Sequence, residues 1–122
     1  MLTRLTLLTL ILSMLLAGCA PTADFDIRGE WNYTLITADG NGYDTGTITF
    51  SGKDAMAGTY VETNIYLVQY KGEFTMKGKT LQLSGDEPWK CTVIDSNNFS
   101  GTWSHNDGVS GTLTAIRKRG VM

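Results

Sequence analysis

Cysteine, proline and histidine are nearly missing from this chain of 122 residues, which holds two, two and one of them. Two cysteines, Cys19 and Cys91, can close at most one disulfide, so no disulfide framework defines the fold. With His105 as the single imidazole, the three or four convergent ligands of a zinc or copper centre are not at hand. Charge is also scarce. The formal net charge is −2, too mild to argue for nucleic acid, and the one basic cluster, Arg117-Lys118-Arg119, lies at the end of the chain. The longest apolar run, residues 5–16, falls short of the ~20 needed to span a bilayer as a helix. No window sustains a period of 3.6, which argues against amphipathic helices. No serine or cysteine nucleophile stands in a recognisable setting, and no acid–base pair is evident, so the expectation is a binding protein and not an enzyme.

What is present begins with a leader. Arg4, the only charge before Asp24, precedes the apolar run, and small residues close it. That is the build of a helical secretory signal, too short for a membrane anchor. The run ends in Leu16-Ala17-Gly18-Cys19, which resembles the lipobox of bacterial lipoproteins. The resemblance implies cleavage before Cys19, a diacylglycerol on the Cys19 sulfur and acylation of the new amino terminus. Each buried methylene contributes ~0.8 kcal/mol, so several chains hold far better than one. Ala20 follows Cys19 where an aspartate would stand in an inner-membrane lipoprotein, so the resemblance points to the outer membrane of the cell envelope. The expected organisation is a signal peptide (1–18), a lipidated cysteine with a short tether (19–26) and one domain (27–119). Removing the leader takes Arg4 from the ten basic side chains and nothing from the twelve acidic ones, leaving a charge of −3. If Cys19 carries lipid, Cys91 has no partner within the chain. It is then a small buried hydrophobe, or else a thiol open to intermolecular pairing or reaction.

Beyond residue 26 the punctuation is that of an all-β domain, with 14 glycines in the chain and apolar–polar alternation between turn signals. Trp31, Tyr33 and Leu35 alternate with Asn32, Thr34 and Ile36. Residues 45–50 follow, then a third strand over 56–61 and a fourth over 65–70 that is apolar on both faces. Phe74-Thr75-Met76 and Leu81-Gln82-Leu83 flank the turn Lys77-Gly78-Lys79 as a hairpin. Trp89, Cys91 and Val93 share a face, as do Phe99, Gly101 and Trp103, and as do Val109, Leu113 and Ala115. Turns fall at 39–42, 51–54, 85–88, 95–98 and 105–108. Eight or nine short strands with local connections make a meander, and a meander of about eight strands removes its exposed edges by closing into an antiparallel up-and-down β-barrel; an open sandwich is the competing solution. A repeated Gly-Thr step, at Gly46, Gly58, Gly101 and Gly111, supplies glycines where strands bend at barrel corners.

The opening Gly29-Glu30-Trp31 and the late Arg117 resemble the lipocalin and calycin pattern. In that family the tryptophan opens the first strand and a basic residue of the last strand packs over its indole, closing the barrel floor. The resemblance implies this role for Trp31 and Arg117, a cation–π contact of ~0.5–2 kcal/mol, and a barrel that binds a small apolar ligand. No Thr-Asp-Tyr-like motif is present, and the usual terminal helix has no room.

Inward aromatics are the remaining chemical signal. Trp31, Tyr33, Phe50, Trp89, Phe99 and Trp103 fall on apolar faces. They are core, or they line a barrel interior that accepts an apolar or planar ligand; an eight-stranded barrel is only just wide enough for its own side chains or one small ligand. Residues 39–44 have the acidic spacing of a calcium loop, but the twelfth position is Phe50, so the motif fails. No cofactor is expected. The expected partners are the membrane, through the lipid, and a small apolar ligand. The alternative is an envelope protein held by the loops 39–44, 85–88 and 105–108, as a hydrolase inhibitor or an assembly factor would hold it.

Overall fold

Alternation with period two decides which side chains of a strand meet the core, and here it closes a cylinder. The structure, a computed structural model, describes residues 22–85, 87–105 and 107–119; the leader and Cys19 lie outside these. Eight strands, β1 (Gly29–Thr37), β2 (Tyr43–Ser51), β3 (Ala57–Asn64), β4 (Gln69–Lys77), β5 (Thr80–Leu83), β6 (Trp89–Asp95), β7 (Asn98–Ser104) and β8 (Ser110–Arg117), pair antiparallel in chain order. β8 then pairs with β1, from Trp31 opposite Arg117 to Thr37 opposite Gly111. The all-β, up-and-down barrel expected from the alternation is therefore the fold, and no helix occurs among the described residues.

Glycines and aromatics share the inner wall by register. Tyr33 stands opposite Gly46, Tyr60 opposite Gly72, Phe74 opposite Gly58 and Trp103 opposite Gly111. The rings of Tyr33, Tyr60 and Phe74 cover the bare backbone of their partners, and such glycines let a sheet bend sharply enough to close. A Cβ at Gly58 would collide with the Ser51 carbonyl and sit 2.8 Å from the Phe74 ring, and one at Gly111 would collide with the Ile36 carbonyl.

The turns 52–56, 78–79 and 96–97 lie at one end, called the floor, and the connections 38–42, 65–68, 84–88 and 105–109 at the other, the mouth. Aromatics fill the barrel from the floor upward. Phe99 lies 4.8 Å from Trp31, and Phe50 lies 5.2 Å from Phe74, edge to face, between ring centroids. Such contacts add ~0.5–1.5 kcal/mol each beyond the area they bury. At the floor, Trp31 donates its indole N–H to the Ile27 carbonyl at 2.9 Å. Arg117 sets its guanidinium carbon 4.4 Å from the centre of the Trp31 ring and donates to the carbonyls of Asp26, Arg28 and Ser96 at 2.6–2.8 Å. Residues 22–26, expected to be a tether, are docked. Ala23 bridges to Gly78, Asp24 donates its N–H to the Gly78 carbonyl, and Ala23 and Phe25 pack on the core.

Two strand readings are corrected. Residues 65–68 form the turn between β3 and β4 and not the start of a fourth strand. The Asn64 side chain accepts the N–H groups of both Tyr66 and Val68 at 3.0 Å, and Leu67 takes φ of 64°, which ends strand geometry there. Val109 faces solvent, because β8 begins at Ser110 and its inward row is Gly111, Leu113 and Ala115.

Candidate functional site at the barrel mouth

The alternation that buries apolar side chains near the floor runs on to the mouth, where the same inward positions carry acids. On β2, Ile48 and Phe50 point inward, and so, four residues before Ile48, does Asp44. On β3, Tyr60 points inward, and two residues later so does Glu62, which is only 3% exposed and is the one buried charged residue among those described. Glu87 continues the inward row of Trp89 and Cys91. Leu35, Thr37, Gly42, Asp44, Glu87 and Trp103 line a cavity of about 230 Å³. Thr37 and Gly42 also border a depression of about 570 Å³ between the 38–42 and 105–109 turns, which leads outward.

The cavity's own lining is paired, with the Thr37 hydroxyl bonded to Asp39 and Gly42 and Asp44 accepting the Thr45 N–H, but two buried polar atoms of this end of the barrel are not. Tyr33, 2% exposed, has no partner in hydrogen-bond geometry for its hydroxyl, and neither has the Trp89 indole N–H. The two rings meet edge to face at 5.2 Å. The polar neighbour of the Tyr33 hydroxyl is the Glu62 carboxyl, and each affects the other's titration. Burial pushes Glu62 up to about 7; the Tyr33 hydroxyl offsets part of that rise, and the charges of Glu87 and Asp44 add to it. Burial also raises Glu87, against the pull of His105. Tyr33 is held well above the ordinary phenol range, by burial first and by Glu62 next, and stays protonated. An unpaired buried polar group costs about 1–3 kcal/mol, so this end of the barrel carries unmet hydrogen-bonding capacity that the floor end lacks.

Of the six aromatics named from the sequence, Trp103 lines the cavity, and its indole N–H donates to the Thr112 carbonyl at 3.0 Å. Tyr33 and Trp89 lie at the cavity's level. Trp31, Phe50 and Phe99 sit in the packed lower core, where ring contacts occupy the space a ligand would need. Glu62 goes unnoticed in the sequence, and Asp44 reads there only as part of the 39–44 turn, although counting by twos from Tyr60 and back from Ile48 reaches both. Cys91 points inward from β6, and burial pushes its thiol up to about 12, so it is an inert core group. Among the described residues, no group of three or more histidines, cysteines or acids could hold a metal ion. A larger depression of about 820 Å³ lies on the outer wall across β4–β8, where Glu73, Thr75, Gln82, Lys90, Thr102 and Thr112 face solvent. Leu83, Pro88, Trp89 and Trp103 border it as well, but buried acids converge only on the mouth, which is the better candidate.

This geometry defines a class: a closed eight-stranded barrel with a packed floor and a small polar-edged cavity at its mouth. Comparison with solved structures places it among small barrels of the same form. The chain is similar to a redesigned β-barrel, b11L5F_LGL, at 17% identity and a TM-score of 0.64, covering 80% of this chain and all of that one. It is similar to a redesigned barrel, mFAP0, solved bound to DFHBI, at 19% identity and a TM-score of 0.61, covering 75% of this chain and 98% of that one. It is also similar to a fluorescence-activating β-barrel of de novo design, at 15% identity and a TM-score of 0.55, covering 76% of this chain and 94% of that one. No protein-family model and no curated protein matches the chain in sequence.

Proposed function

We propose that this chain is a lipid-anchored lipoprotein of the bacterial outer membrane whose lipocalin-like barrel binds a small, mainly apolar ligand at its mouth. The observation that carries the binding role is a small cavity walled by Leu35 and Trp103 and edged by Asp44 and Glu87, with the Glu62 carboxyl buried close to both acids. Binding sites combine apolar walls with a few placed polar groups, and this end of the barrel has both. A similar barrel that holds DFHBI is compatible with the reading. The role is binding, not catalysis.

The anchor follows from Leu16-Ala17-Gly18-Cys19. Residues 22–26 run along the floor, and the three residues from Cys19 to Pro21 span at most ~10 Å. A lipid at Cys19 therefore holds the floor towards the bilayer and turns the mouth away. Cys19→Ser should move the protein from membrane to soluble fractions; retention in the membrane would refute the anchor. For the ligand, native mass spectrometry of protein purified from its own host, paired with quenching of tryptophan fluorescence, should show a small bound molecule, and Trp103→Ala should lower its occupancy. A mouth that stays empty and unquenched would refute binding.

A second reading, a partner-binding lipoprotein acting through its loops, draws on the 65–68 turn. Tyr66 and Leu67 are 76% and 81% exposed at the mouth, flanked by the exposed Ile65 and Val68. Four adjacent apolar side chains held out on a braced turn suit the apolar pocket of an envelope protein.

A further inference from the structure

The mouth cavity has one sign of charge. Asp44 and Glu87 line it, the Glu62 carboxyl is buried beside it, and no lysine or arginine contributes to its wall. The titratable groups that face Glu62 are Tyr33, Asp44 and Glu87, and Glu87 in turn faces His105 and Asp107. His105 is engaged with Asp107, Nδ1 to Oδ1 at 3.1 Å, at the outer rim. Burying a carboxylate away from water costs several kcal/mol unless a cation and hydrogen bonds compensate. Within the barrel the Tyr33 hydroxyl is the one group that favours the Glu62 carboxylate, and no cation offsets its burial.

We infer that the ligand is a small organic cation, an ammonium or similar group on a compact apolar body. The charged group lies by Asp44 and Glu87, with the buried Glu62 adding its charge from behind them, and the apolar body lies against Leu35 and Trp103. This rests on the binding role proposed above and names the chemical class of its ligand. Three features select it. The carboxylates attract a positive group and repel an anion. The Trp103 indole lines the cavity, and indole rings attract cations. The acids among the described residues are not grouped to ligate a metal ion, so the fitting cation is organic. Size sets a limit as well: a cavity of about 230 Å³ falls below the ~300–1,000 Å³ of drug-sized sites, which suits a single ring with one substituent. Raised protonation of Glu62 and Glu87 in the barrel fits the same picture, because a proton occupies the place that a cation would take.

The test uses the full chain in detergent and three probes of matched shape: benzylammonium, benzyl alcohol and benzoate. Binding is read by tryptophan fluorescence and calorimetry near pH 8. Benzylammonium should bind at least about tenfold tighter than benzyl alcohol, a difference of ~1.4 kcal/mol, with benzoate weakest. Glu62→Gln should collapse that ratio while circular dichroism confirms the barrel. If Glu62→Gln fails to fold, Glu87→Gln and Asp44→Asn carry the test, and an undiminished ratio in both overturns the inference. Equal binding of ammonium and alcohol, or preference for benzoate, overturns the cation and leaves the cavity standing as a binding site. Absence of binding by all three overturns the binding role itself.

Discussion

Leu67 shows how one residue can invert the reading of a segment. Residues 65–70 are rich in β-branched and aromatic side chains, the composition of a buried strand, and no glycine or proline warns of a turn. The turn is imposed by Asn64, whose side-chain oxygen accepts two backbone N–H groups. It forces Leu67 to φ of 64°, a conformation that costs a residue with a Cβ ~1–2 kcal/mol. Strain of this kind gathers at functional positions, which is why the turn supports the partner-binding reading. Leu67→Gly removes the strain and adds ~0.5–1 kcal/mol of unfolded-state entropy. Urea denaturation should therefore show the variant stabler by about 0.5–1 kcal/mol. A loss of stability would mean that the exposed leucine side chain contributes packing that the structure does not show.

At the scale of the strand, the Gly-Thr repeat was legible and its partners were not. Sequence shows glycines entering strands, but the register that sets Gly46 against Tyr33 and Gly111 against Trp103 emerges only when the barrel closes. Closure turns these glycines from permissive to obligatory. Gly111 faces the Ile36 carbonyl so closely that a methyl group would force β8 away from β1, at the seam that seals the cylinder. Gly111→Ala should cost about 1–3 kcal/mol, the range for overpacked cores. Gly40→Ala, where nothing lies within 4 Å but φ is +74°, should cost no more than ~1–2 kcal/mol, the backbone strain alone. Thermal melts of both variants separate packing from strain, and a Gly111→Ala barrel as stable as the parent would contradict the seam.

Across the whole molecule, charge divides the two ends. All arginines among the described residues, Arg28, Arg117 and Arg119, belong to the floor, while Asp44, Glu62 and Glu87 lie towards the mouth. The number of strands and the inward aromatics could be read from alternation. The acidic mouth is reached by the same count but not flagged by it, because an inward glutamate contradicts the rule that makes alternation readable. That contradiction has a pH signature. Glu62 moves from an ordinary 4.5 to about 7 in the folded barrel, so the folded state holds its proton more tightly than the unfolded chain does. The stabilisation is complete below about pH 4.5, falls as pH climbs towards 7, and is gone above it. At 1.36 kcal/mol per unit the loss is about 3 kcal/mol. Glu87, raised for the same reason, acts with the same sign. Asp26, Asp39, Asp95 and Asp107 are lowered by hydrogen bonds to neighbouring residues; their contributions are present at higher pH and fade only in acid, below the window that Glu62 controls. Denaturant unfolding from about pH 4.5 to 8 should show stability falling in the parent and falling less steeply in Glu62→Gln, where Glu87 alone remains raised. A parent whose stability rises across that window would mean that the carboxyl is ionised and paired within the barrel, with no unmet charge left to attract a cation.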